Sequence, residues 1–247
     1  MIITANETLK DSTLTINSVL INYPVSNILD SRLTRICKTN SSTTMTIVFD
    51  AGSAVTVDSI SIANHNISSS VTILKWQGNA TDVWTSPSVD ETLTWKSGII
   101  NKQFTGGSYR YWRLHIVDAS NPDGELYVGR VYGSKQSNPP PIAPLFSHTR
   151  ISESKKSIGI AGTVYQDKRY FYDLISIKWP IITQAEKADI ITWFETIDIG
   201  DPFFVIFDEA KMDLTVQYVT IDSPQISFNY KKNPKWVEAS LSLREGF

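Results

Sequence analysis

The sequence predicts a mainly β protein of two domains: a β-sandwich, then a smaller β-rich α+β domain with one main helix. Three observations carry this. Short runs of β-branched and aromatic residues recur along the 247 residues, separated by turn signals. A proline-rich break falls at residues 136–146, dividing the chain into 1–135 and 147–247. Beyond the break, helical spacing shows clearly only at about residues 183–196.

In the first part, Met45–Asp50 is β-branched and apolar and ends at the Ala51-Gly52 turn signal. Val55–Ile62 alternates, with Val55 and Val57 followed by Ile60 and Ile62. Its parity slips at Asp58-Ser59, which predicts a bulge or burial on both sides. Val71–Trp76 is a further strand. Tyr109–Val117 places Trp112, Leu114 and Ile116 on one face, and Tyr111, Arg113 and His115 on the other. Glu125–Tyr132 completes the set, and strands at this spacing argue for a sandwich. The segment Ser134–Pro144 holds four prolines, including Pro139-Pro140-Pro141, and reads as a linker, because consecutive prolines favour polyproline geometry.

In the second part, Tyr170–Trp179 reads as a strand closed by Pro180. Thr183 and Glu186 have the spacing of a capping box. Ala185, Ala188, Ile191 and Phe194 form the expected apolar stripe, and Gly200-Asp201-Pro202 stops the helix. Phe203–Phe207, Leu214–Ile221 and Trp236–Leu243 read as strands.

Composition narrows the function. Hydrophobic residues make up 41% and charged residues 19%, a globular balance, and the formal net charge of −2 lacks the basic excess that nucleic-acid binding needs. A lone cysteine, Cys37, cannot form an internal disulfide, which suits assembly in a reducing cytoplasm. Arg35 and Lys38 beside it would lower a thiol pKa, but a packed residue is the plainer reading. No basic-then-apolar leader opens the chain, and no apolar run reaches the ~18 residues of a membrane span.

Catalytic motifs are missing. His65, His115 and His148 show no metal-ligand spacing, so neither a metal nor a cofactor is expected. No nucleophile elbow, P-loop or dinucleotide glycine pattern occurs. Scattered carboxylates leave a glycan-cleaving enzyme as a third reading only.

A carbohydrate site has more support. Trp76 and Trp84 flank the polar segment Gln77–Val83. An exposed indole beside Asn79 and Asp82 would stack on a sugar while the amide and carboxylate bond its hydroxyls. Trp76, at the end of an apolar run, fits the core better; for Trp84 both readings stay open. Asn64-His65-Asn66 reads as a loop whose asparagines form turns.

Asn27-Ile-Leu-Asp30 with Arg32, Ile47–Gly52, and Ser59–Asn66 together resemble the discoidin-like (galactose-binding-like) jelly-roll sandwich. Tyr111–Leu114 and Gly129–Gly133 are similar to its later strands, so the resemblance covers roughly residues 20–133. Many such domains clasp their termini with a disulfide, which this chain cannot make. The combination is similar to variants in bacteriophage tail proteins. Residues 147–247 more loosely resemble the β-rich domain of minor and distal tail proteins, through Ser176–Trp179, the capped helix, Asp201–Val205 and Glu238–Arg244.

The resemblance implies a structural, non-enzymatic component of a phage tail tip or baseplate, assembled in the host cytoplasm and carried in the virion. Its partners would be further copies in a ring of three or six, the tube and hub proteins, and a host surface glycan. Tyr170, Tyr172, Phe203 and Phe204 are the aromatics expected at a ring interface, unless they fill their own core.

Overall fold

The computed structural model describes residues 2–137, 145–158, 164–197, 200–206, 216–223, 225–230 and 237–245. In chain order the strands are β1 (Ile2–Glu7), β2 (Thr13–Ile16), β3 (Cys37–Lys38), β4 (Thr44–His65), β5 (Ile73–Asn79), β6 (Val89–Thr92), β7 (Ile100–Val117) and β8 (Tyr127–Ser137). Then come β9 (Leu145–Ser152), β10 (Lys155–Ile158), β11 (Val164–Asp167), β12 (Phe171–Ile182), helix α1 (Gln184–Thr196), β13 (Phe203–Ile206), β14 (Val216–Ile221), β15 (Ser227–Tyr230) and β16 (Val237–Glu245). The protein is mainly β with one α-helix among the described residues.

Two compact units emerge. One comprises Met1–Asn138 with Phe203–Gln217, the other Pro139–Pro202 with Tyr218–Gly246. The division departs from the expected 147–247 domain. β13 pairs antiparallel with β1, Ile3 opposite Val205, and so belongs to the first unit. β8 runs on to Ser137 and β9 begins at Leu145, so both ends of the expected linker are strand. Its four prolines lie outside the described residues.

The first unit is built around two long strands. β4 spans 22 residues and pairs with β7 along most of its length. The ladder breaks between Asp50 and Val55 and again between Val57 and Ser59. At the second break the surplus residues lie in β7, which runs from Gly107 to Gln103 while β4 runs from Val57 to Ser59. The parity slip at Asp58-Ser59 marks burial on both sides of β4 instead, with Ser59, Ile60, Ser61 and Ile62 all buried. At the first, the expected turn is an irregularity inside one strand, and Gly52 takes φ 72°, which glycine adopts without a Cβ penalty. Before the breaks β4 lies between β2 and β7; after them it lies between β7 and β8. These bends let β4 and β7 contribute to both faces of a sandwich. Its core contains Ile47, Phe49, Ile60, Ile62, Trp76, Trp112, Leu114, Ile116 and Val128. Trp76 is fully buried, with Phe49 edge-on to it.

Cys37 is also fully buried, and burial pushes its thiol up to about 12. The flanking cations do not activate it. Phe203 and Phe204 are buried too, with Phe204 packed edge-on against Tyr132 at 5.4 Å between ring centroids. They therefore form no exposed patch; all four residues of β13 are buried, so both faces of the strand are covered.

In the second unit β16 lies between β12 on one side and β14 and β15 on the other, and β9 pairs with the far side of β12. Ile175, Ile177 and Trp179 of β12 are buried, as are Val237, Ala239, Leu241 and Leu243 of β16. β12 continues past Pro180 to Ile182, with a register shift between Trp179 and Ile182. A proline cannot donate to the ladder, so the strand passes it by an irregularity rather than ending. Thr183 caps α1 and forms the expected box with Glu186. The apolar stripe differs: Ala185 and Ala188 are exposed, and Ile190 and Ile197 are buried. Ile190 is the buried residue of α1, Ile191 and Phe194 of the expected stripe are half-buried, and Ile197 is the extended C-cap just past the helix.

Candidate functional site

The site lies on the outward face of β6, β5, β7 and β4. Strand alternation turns Trp76, Trp112, Leu114 and Ile116 inward, and so turns Lys75, Gln77, Asn79, Tyr111, Arg113 and His115 the other way. The ladders set Gln77 opposite Arg113 on one side and opposite Asp90 on the other. Lys75 faces His115, and Asn79 faces Tyr111.

These groups form a connected chain. Arg113 Nε donates to Gln77 Oε1 at 2.8 Å, and Nη2 donates to the same oxygen. Gln77 Nε2 donates to Asp90 Oδ1, and Lys75 Nζ donates to Asp90 Oδ2, each at 2.8 Å. The Lys75 ammonium holds the Asp90 carboxyl below its usual range. His115 Nδ1 lies 2.9 Å from Thr46 Oγ1. Burial, then Arg113 and Lys75, depress its pKa.

The β5–β6 loop folds over this face. Asn79 Nδ2 donates to the Val83 carbonyl at 2.7 Å, while its Oδ1 accepts from the Ala80 amide and the Ser88 hydroxyl. Asn79, itself half-buried, thus helps to shape the loop, and its Nδ2 donates one of its two protons there. The loop delivers Trp84, whose Nε1 donates to Asp82 Oδ1 at 2.6 Å. The Arg113 guanidinium lies over the Trp84 ring, 4.5 Å from its centroid. Trp84 remains half-buried and Asp82 exposed. The fold brings Trp84, Asp82 and Asn79 together, and adds Arg113 and Gln77. The latter two were not singled out from the sequence, although the alternation of Tyr109–Val117 already put Arg113 on the outward face.

Other polar residues serve the scaffold. Asn66 Oδ1 accepts from the Tyr127 amide, and its Nδ2 donates to Glu125 O and Asp123. It joins distant segments rather than forming a local turn. Asn64 takes φ 54° and donates to Leu33 O. Several carboxyls are held ionised: Asp30 by Arg32, and Asp50 by Arg110, at about 2. For Asp118, burial works to raise the pKa but bonds from Ser68 and Asn121 outweigh it. None of these sites raises a carboxyl pKa, as acid–base sugar hydrolysis requires. Among the described residues no group of three or more His, Cys, Asp or Glu is placed to hold a metal. No helix among them is long and apolar enough to cross a membrane.

In the second unit, Tyr170 is 55% exposed. Tyr172 is half-buried, with the Arg244 guanidinium 3.8 Å from its ring centroid.

No family model and no curated protein matches this chain. Among solved structures it is similar to the lectin domain of lectinolysin complexed with Lewis B antigen, at 10% identity and TM-score 0.44, over 53% of this chain and 98% of that one. It is also similar to the family 32 carbohydrate-binding module of C. perfringens NanJ in complex with galactose, at 14% identity and TM-score 0.42, over 54% and 99% of the two chains. A third is chitosan-binding module 1 from a Paenibacillus sp. IK-5 chitosanase/glucanase, at 17% identity and TM-score 0.42, over 53% and 99%.

Proposed function

We propose that the first unit binds carbohydrate through the outward face at Trp84, without cleaving it. The observation that carries this reading is the Trp84 indole, fixed by Asp82 at its N–H and by Arg113 against its ring, yet only half-buried. A pinned aromatic gives a sugar a flat apolar surface at little ordering cost. A glycan array with the purified protein tests this. Trp84→Ala should abolish the signal while the melting temperature stays unchanged. Binding that survives the substitution, or an array with no signal, would sink the reading.

A second reading is a structural component of a phage tail tip, assembled in the host cytoplasm as a ring of three or six copies and carried in the virion with tube and hub proteins. One observation favours self-assembly through the second unit. β10 and β11 pair only with each other among the described strands, and all eight of their residues are exposed, including Ile158 at 69% and Tyr165 at 61%. An isolated two-stranded ladder is marginal in water and gains from a partner surface. Light scattering after size exclusion should give a trimer or hexamer, and Ile158→Asp should dissociate it. A wild-type monomer at high concentration would count against it.

A further inference from the structure

We infer that the glycan taken at Trp84 carries an oxyanion, bound by Arg113; this rests on the Trp84 reading above. The argument begins with the arginines of the first unit. Arg32 and Arg35 pair with Asp30 at 2.7 and 3.5 Å, Arg110 with Asp50 at 2.7 Å and Arg130 with Glu7 at 2.6 Å. Arg113 pairs with no carboxylate among the described residues. Its Nε and Nη2 are directed at Gln77, a neutral amide that fixes the guanidinium without cancelling its charge.

The nearby carboxylates of Asp82 and Asp90 attract the guanidinium through space but form no ion pair with it. Asp90 accepts from Lys75 and Gln77, and Asp82 accepts from Trp84 Nε1. Arg113 is not among the residues with a buried polar atom lacking a partner, so the donors that Gln77 leaves unused open to solvent. Partial burial works against the charge and depresses the Arg113 pKa, and the attraction of Asp82 and Asp90 only partly makes up for it. An arriving anion would offset that cost. A guanidinium held in one orientation presents parallel donors to two oxygens of a carboxylate or phosphate. The same side chain covers the Trp84 ring, so an anion bound here and a sugar packed on the indole would be neighbours.

The two sources of such an anion are a carboxylate-bearing sugar and a phosphodiester-linked polymer. Calorimetric titration separates them, with an oligogalacturonide, its methyl ester and a glycerol-phosphate polymer as probes. The acid or the phosphate polymer should bind about tenfold or more tighter than the neutral ester, more weakly as salt rises, and Arg113→Gln should erase that preference. Whichever anion shows the preference identifies the source. If Arg113→Gln lowers the melting temperature, Arg113→Lys replaces it. That variant keeps the charge but not the paired donors, and should retain salt dependence with a smaller preference. Equal affinity for acid, phosphate polymer and ester, all lost in Trp84→Ala, would overturn the oxyanion and leave the Trp84 site standing. Binding of none of the three, in a protein that melts normally and gives no array signal, would remove both.

Discussion

The indoles of Trp76 and Trp112 stack inside the first unit, with ring centroids 5.8 Å apart and planes 13° from parallel. Gly78, opposite Trp112 in the β5–β7 ladder, makes room for this pair: a Cβ there would come within 2.6 Å of the Trp112 ring. The close approach explains a glycine inside a strand, where its entropy and missing side chain are otherwise unfavourable. Trp112→Ala should destabilise the first unit by about 3–5 kcal/mol, through lost burial and the cavity left behind. Gly78→Ala should cost about 1–3 kcal/mol, because the rigid ring must shift. Denaturant unfolding followed by circular dichroism checks both. A Gly78→Ala variant as stable as the parent would show that the ring moves freely.

Arg130 and Glu7 form the second relationship open to test. Their side chains are 4% and 8% exposed, and Arg130 Nη2 lies 2.6 Å from Glu7 Oε2. Arg130 Nη1 also donates to the Ile28 carbonyl at 3.2 Å. Removing one partner strands a buried charge, so Arg130→Met should lose about 3–5 kcal/mol, whereas Arg130→Met with Glu7→Leu should recover much of it. A double-mutant cycle in denaturant measures the difference. Additive losses would mean that the two charges do not depend on each other.

How much of this was legible in the sequence depends on what each residue answers to. The inward positions of β7 were readable because Trp112, Leu114 and Ile116 alternate without interruption, and the two-sided burial of β4 after Asp58 was readable because parity slips where both faces are covered, as at Ser59–Ile62. The capping box of α1 was readable because it is a contact between residues three apart. β1 and β13 were not assigned to one unit, because their pairing spans some 200 residues and nothing in Phe203–Ile206 names its partner. At the site, Trp84 and Asp82 lie close in sequence and were found together. Arg113 and Gln77 meet across a ladder whose register alternation cannot supply.

Acid should weaken the first unit before its carboxylates titrate. Burial lowers the pKa of both His65 and His115 below the ordinary value of 6.5. The unfolded chain therefore binds protons that the folded chain refuses. Stability contributed by the neutral rings is fully present above about 6.5, falls as pH drops through that value, and levels off below the folded pKa. A denaturant midpoint measured from pH 7.5 to 5.5 should decline with acid, and the His65→Gln, His115→Gln double variant should be flatter. Asp50, lowered to about 2 by Arg110, begins to lose its contribution only below its unfolded value of 3.8. The two windows are therefore separable, and an unchanged decline in the double variant would assign the effect elsewhere.

The second unit rests its helix on one local device. Thr183 Oγ1 accepts from the Glu186 amide at 3.2 Å, and Glu186 Oε2 accepts from the Thr183 amide at 2.7 Å. Both bonds satisfy backbone donors that the first turn of α1 leaves without helical partners. The helix is only 13 residues long, too short to persist in water without packing or caps. Within it Ile190 is buried and Ile191 and Phe194 are half-buried, while Ala185 and Ala188 are exposed. Thr183→Ala should therefore cost about 1 kcal/mol, and Thr183→Ser should restore most of it, since serine keeps the accepting oxygen. Hydrogen exchange reads the effect where it arises. In Thr183→Ala the amide of Glu186 should exchange faster than in the parent, while that of Ile190, held by the helix ladder, changes little. Equal exchange at Glu186 in parent and variant would show that the cap contributes nothing to the start of the helix.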